Sequence, residues 1–142
     1  MNELQLLDSL GVTYYNFDGK LDAEKSEDFI QQFKNICSCS KARDLHTIVY
    51  VWYTERSIPR MRGESNIVYI GQTERSFHDR HFRYAETEGT GGNWSRYEHI
   101  IKNFGPIRIS CAVVENPRDS EKTMLRLYFD EHLELPPVNA SG

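Results

Sequence analysis

Apolar residues in this chain come in blocks with two different periods. From Thr47 to Thr54 the residues Ile48, Val49, Tyr50, Val51, Trp52 and Tyr53 form one unbroken run of β-formers. Such a run predicts a strand buried on both faces. A second run, Ile67-Val68-Tyr69-Ile70, lies between Asn66 and Gln72 and stops at Gly71. The polar stretch from Glu55 to Ser65 joins the two, and consecutive strands joined by one loop favour an antiparallel pair. Further on, Ile107, Ile109, Cys111 and Val113 alternate with Arg108 and Ser110, the period of a third strand.

The remaining blocks have helical spacing. Phe29, Ile30, Phe33, Ile36 and Cys37 predict an amphipathic helix from Asp22 to about Cys37. Ser76-Phe77-His78-Asp79 has the serine-to-acid spacing of a capped start, predicting a helix to about Glu86. After the glycine-rich break at 87–92, Asn93 caps a helix carrying Trp94, Tyr97, Ile100, Ile101 and Phe104, which Gly105-Pro106 ends. Ser120 starts a last helix through Met124, Leu125, Leu127 and Tyr128, and Leu135-Pro136-Pro137 stops it. The order α-β-β-α-α-β-α predicts an α/β (α+β) fold: a small, mostly antiparallel three-stranded central sheet flanked by helices. Residues 1–46 read as an N-terminal helical extension and 47–142 as the main domain, with no internal repeat.

At 142 residues, one domain is the expectation, large enough to stand without disulfides or metal. No apolar run approaches the roughly 20 residues that span a bilayer. The start Met1-Asn2-Glu3-Leu4-Gln5 lacks a basic leader region, so the chain reads as soluble and intracellular (cytoplasmic), with no membrane partner. Cys37, Cys39 and Cys111 are odd in number, without a second close pair, which argues for reduced thiols over a disulfide framework or a zinc site. The net charge of −4 counts against a nucleic-acid partner. Its distribution changes the picture: there are 5 basic against 8 acidic residues in 1–46, 9 against 7 in 47–110, and 3 against 6 in 111–142. The positive segment holds both β-forming runs.

That segment also carries the candidate chemistry. Phosphodiester hydrolysis needs an aimed water, a neutraliser for charge on the phosphoryl oxygens, and a metal or acid at the leaving oxygen. The planar fork of arginine suits the second task. A single carboxylate suits Mg²⁺ when phosphate and water supply its other ligands. Tyrosine can take a proton only if a cation lowers its pKa from about 10. Taken singly, Tyr50, Tyr69, Arg80, Tyr84, Glu121 and Asn139 are ordinary residues for their positions.

Together, in order and element type, they resemble the GIY-YIG nuclease superfamily. Ile48-Val49-Tyr50 stands where the first motif would, and Tyr69-Ile70-Gly71 is an intact second motif. Arg80 falls on the next helix, Glu121 early on the last one, and Asn139 follows Pro136-Pro137-Val138. The likeness spans residues 47–139. It implies a single-metal DNA endonuclease. Tyr50 would be the general base or would position the water, and Tyr69 would share the pocket. Arg80 would hold the scissile phosphate with Tyr84 one turn on, and Glu121 would bind Mg²⁺ or Mn²⁺. Gly71 and Asn139 would be structural.

Three departures matter. Ile48 replaces the first motif's glycine. The gap from Tyr50 to Tyr69 is long, and its extra length is a loop bearing Arg56, Arg60 and Arg62, candidate substrate contacts. Gln72 stands where some members carry lysine. Gln72 and His81 complete the candidate substrate-binding set. The alternative is a catalytically weakened module of the same fold that binds nucleic acid or protein, which the acidic net charge and the missing lysine favour. A nuclease with one site would need a homodimer, or two visits, to cut both strands.

Overall fold

A computed structural model describes residues 1–139; the end of the expected 47–142 domain, 140–142, lies outside them. The centre is an antiparallel sheet of four strands, β1 (Tyr14–Asn16), β2 (His46–Pro59), β3 (Glu64–Ser76) and β4 (Ile107–Val113), in the order β1-β4-β2-β3. The antiparallel α+β expectation holds, with one strand more than the hydrophobic runs predict. The fourth is β1, three residues too short to show a period. It pairs Tyr14 with Ala112 and Asn16 with Ser110 along the outer edge of β4.

Strands β2 and β3 form a long hairpin. The segment 55–65, expected as a loop, is mostly strand. The turn is only Arg60 to Gly63, closed by a 3.0 Å bond from the Arg60 N–H to the Gly63 carbonyl, with Gly63 at φ +70°. Polar residues can extend a hairpin beyond the core, because its ladder bonds need no apolar side chains.

Helices cover both faces of the sheet. On one face lie α2 (Ser26–Cys37), α3 (Ser40–Asp44), α4 (Phe77–His81), α5 (Ala85–Glu88) and α6 (Gly91–Phe104). Their core joins Phe29, Phe33, Phe77, Tyr97 and Ile100 to the sheet residues Ile48, Tyr50, Trp52, Ile107, Ile109 and Cys111. On the other face α1 (Glu3–Asp8) and α7 (Pro117–His132) bring Leu6, Leu7, Met124 and Tyr128 against Val49, Val51, Ile67, Ile70 and Ala112. Tyr50 and Val51 thus go to opposite layers, as strand alternation requires, and both are buried, as the unbroken run predicts.

The N-terminal 46 residues are woven into this body. They supply the edge strand, and Phe29 stacks on Tyr97 at 5.0 Å while Phe33 lies 5.7 Å from Trp52. The helix expected from Ser76 to about Glu86 is broken into α4, a 3-10 turn (Phe82–Tyr84) and α5. Its cap is as expected: the Ser76 hydroxyl accepts from the Asp79 N–H at 3.1 Å. The last helix starts earlier than Ser120, with the Asn116 side chain as cap and Pro117 in the first turn. Cys37, Cys39 and Cys111 are free thiols, and burial pushes those of Cys37 and Cys111 up to about 12.

Candidate active site

Register places the tyrosines. In the β2–β3 ladder Tyr50 faces Gly71 and Trp52 faces Tyr69, so these side chains share one face of the sheet. The ring of Tyr50 lies across Gly71: a Cβ there would stand 2.6 Å from Tyr50 Cζ and 2.7 Å from its hydroxyl. The glycine of Tyr-Ile-Gly is therefore fixed by close approach of a ring, and not by a turn. Tyr50 and Tyr69 then stack with centroids 6.2 Å apart and planes at 14°.

Above them opens a cleft of about 440 Å³, lined by residues of β2, β3, the α4–α5 segment, α6 and the chain after α7. Tyr69, Arg80, His81, Tyr84 and Asn139 all lie on its wall, together with Trp52, Glu88 and Arg96. The short helix α4, capped by Ser76, carries Arg80 to the rim, where it is exposed. Its guanidinium sits 5.8 Å from the centre of the Tyr84 ring, so the expected sharing of one face is present. Among the described residues no carboxylate is ion-paired with Arg80.

Asn139 closes the cleft in a specific way. Its side-chain amide accepts from the Ile70 N–H at 2.8 Å and donates to the Ile70 carbonyl at 2.9 Å. One side chain thereby stands in for a neighbouring strand on the outer edge of β3. The Val138 N–H bonds the Val68 carbonyl alongside it at 3.0 Å.

Glu121 is half-buried near the start of α7 and does not line the cleft, but its charge reaches the cleft tyrosine. Burial raises the Tyr69 pKa first, Glu121 raises it further, and Arg80 pulls it back. Tyr69 therefore sits in the fields of both groups. Burial also lifts the Glu121 carboxyl above its ordinary value, with Arg118 opposing.

Tyr50 departs from its expected role. It is 1% exposed and lies beneath the cleft wall, so water there does not reach it. Burial, then Tyr69, drives its pKa well up. Its hydroxyl is instead 2.6 Å from His81 Nε2. His81, expected as a substrate contact, is 5% exposed and lies against the rings of Phe77 and Tyr50 at 4.3 and 5.1 Å. Burial, with Arg80 adding, lowers its pKa to about 3. A neutral imidazole on a neutral phenol satisfies both buried groups.

Four other expected contacts lie away from the cleft. Gln72 pairs with Val49, whose side chain goes to the α7 layer, so strand alternation turns Gln72 from Tyr69. Arg60 donates to the Leu135 carbonyl at 2.7 Å and pairs with Glu134 at 2.9 Å. Arg62 donates to the carbonyls of Glu131, at 2.8 Å, and Asp130. Arg56 donates to the Asn103 carbonyl at 3.0 Å. These guanidiniums serve the C-terminal ends of α7 and α6, which present bare carbonyls and a negative dipole end. These partner carbonyls are distant in sequence, so the arginines carry no local sign of them. Trp52, Glu88 and Arg96 line the cleft without any motif to mark them: Trp52 sits in a core strand run, and the spacing of Trp94 and Tyr97 around Arg96 is that of a core helix.

Among the described residues no three His, Cys, Asp or Glu side chains gather into a metal cage. The cleft itself offers the Arg80 guanidinium, and the Glu121 carboxylate lies outside its lining. A half-buried carboxylate whose burial disfavours its charge gains from a cation, and its hard oxygens fit Mg²⁺ or Mn²⁺. No helix of the described residues is long and apolar enough to cross a membrane. Comparison with protein-family models, with curated proteins and with solved structures finds no match.

Proposed function

We propose that this chain is a metal-dependent DNA endonuclease of the GIY-YIG type. The observation that carries the reading is the shared surroundings of Tyr69. It stands with Arg80 on one cleft wall and feels the Glu121 carboxylate from another layer of the fold. Tyr69 and Arg80 share the cleft wall although they come from different elements, and Arg80 has no carboxylate partner among the described residues that would give it a purely structural role.

In this reading the scissile phosphate lies against Arg80, whose guanidinium takes up charge as the phosphorus becomes five-coordinate. A water oxygen adds to phosphorus, one P–O ester bond breaks, the water loses a proton and the leaving oxygen gains one. Tyr69 keeps its proton at neutral pH, because its pKa is raised, and acts by hydrogen bonding to the water or a phosphoryl oxygen. Tyr50 acts one layer back: it packs under Tyr69 and anchors His81 beside Arg80. Glu121 is the carboxylate that would hold the divalent cation, which when bound supplies positive charge at the leaving oxygen.

A second reading is a module of the same fold that binds nucleic acid without cutting it. The burial of Tyr50, and the lowered pKa of His81 with its Nε2 engaged by the Tyr50 hydroxyl, favour it, because they leave the cleft without an evident base. Incubating supercoiled plasmid with the protein and Mg²⁺ or Mn²⁺ separates the two. The nuclease reading expects nicking that Arg80→Ala and Glu121→Gln both abolish. Binding without nicking supports the module, and nicking that survives both substitutions assigns it to a contaminant.

A further inference from the structure

The cleft holds a second guanidinium that neither the motifs nor the chemistry above employs. Arg96 stands on the second turn of α6 and lines the same wall as Arg80. Its position is fixed by two successive hydrogen bonds. One guanidinium nitrogen donates to Asn93 Oδ1 at 2.6 Å, and the Asn93 amide donates to the Thr87 carbonyl at 3.0 Å. Asn93 and Thr87 also line the cleft.

Arg96 makes no direct ion pair among the described residues. The carboxylate on this wall, Glu88, accepts from the Tyr97 hydroxyl at 2.8 Å. A half-buried guanidinium held in place without a direct ion pair is free to bind an anion. The Glu88 carboxylate on this wall works against an anion, and two other features work for one. Helix α6 opens at Thr90 without a side-chain cap and without an acidic residue in its first turn. Trp52, in the same wall, has a buried indole N–H with no acceptor.

We propose that Arg96 is a second phosphate-binding residue, holding the backbone phosphate next to the bond that Arg80 presents for cleavage. This rests on the nuclease reading and deepens it, because it makes the substrate a polynucleotide strand with at least two consecutive phosphates. Arg96 contributes equally before and during the reaction, so it sets affinity, whereas Arg80 sets rate.

The test is steady-state nicking of plasmid DNA, with the salt dependence of DNA binding, for wild type, Arg96→Ala, Arg96→Lys and Arg80→Ala. Arg96→Ala should raise KM about tenfold, the loss of one charge-assisted bond, while kcat stays within about threefold. The slope of log K against log salt should become shallower by about 0.9, and Arg96→Lys should restore most of it. Asn93→Ala, which frees Arg96 without removing it, should raise KM in the same direction and decides the matter if Arg96→Ala does not fold. An unchanged KM and slope in active Arg96→Ala overturns the inference and leaves the nuclease standing. A fall in kcat equal to that of Arg80→Ala also overturns it. A wild type that neither binds nor nicks DNA removes the nuclease reading and this inference with it.

Discussion

Each of the two motif tyrosines has its own surroundings, and their expected contributions follow. Tyr69→Phe removes the hydroxyl on the cleft wall and should slow DNA cutting about 10–100-fold with little loss of stability. Tyr50→Phe removes the bond to His81 and should cost about 1–2 kcal/mol of stability, with cutting within about threefold of wild type. Single-turnover rates and denaturant melts of both variants check this; a large rate loss in folded Tyr50→Phe would return Tyr50 to the chemistry. The sequence showed both tyrosines on one strand pair but could not show which reaches water. That depends on a ladder register and on a histidine 31 positions away. His81 itself gives a pH signature. Its folded pKa, about 3, lies below the ordinary 6.5, so between those values the unfolded chain binds a proton that the folded one does not. Stability from this group is full above 6.5 and falls as pH drops toward 3, by up to about 1.4 kcal/mol per pH unit. Urea melts from pH 4.5 to 7.5 should show a shallower slope for His81→Gln, which keeps a polar partner for Tyr50 without titrating. Equal slopes would mean that His81 does not hold its proton off.

Among the elements, the β2–β3 hairpin orients the site. Gly71→Ala must move either the Tyr50 ring or the β3 backbone, since the added carbon would run into the ring, 2.6 Å from its Cζ. We expect a loss of about 1–3 kcal/mol, the usual cost of overpacking, with reduced cutting because Tyr69 stacks on the displaced ring. Thermal unfolding of the variant measures it, and a melting point equal to wild type would mean that the two strands separate easily here. Both hairpin strands were legible because their runs are long and β-branched. The extension of the hairpin through 55–65 was not, since Glu55, Arg56 and Ser57 are exposed residues that carry no apolar period. The break after α4 was equally hidden. Residues 76–86 read as one helix, yet His81 must turn inward to Tyr50 while Arg80 and Tyr84 face the cleft, and tertiary contacts decide that local path.

For the whole molecule, the N-terminal third packs into the same core as the rest. Its strand closes the sheet edge and its aromatic helix covers Trp52 and Tyr97. A chain of residues 47–142 alone should fail to unfold cooperatively, because the apolar faces of Trp52, Ile107 and Ile109 lose their cover. A sharp melt and retained cutting by that fragment would contradict this. The charge count adds a second consequence. A net charge of −4 leaves DNA binding to the cleft guanidiniums, so affinity should be modest and fall steeply with salt.

The most direct measurement of the central claim is a double-mutant cycle on DNA cleavage: wild type, Arg80→Ala, Glu121→Gln and the pair, under single-turnover conditions with Mn²⁺. If the guanidinium and the carboxylate serve one phosphate in one reaction, the double variant should be no slower than the worse single one, because either loss already dismantles the site. Fully multiplicative losses would make the two residues independent, and a wild type that leaves DNA intact would show that this convergence of side chains is not a nuclease site.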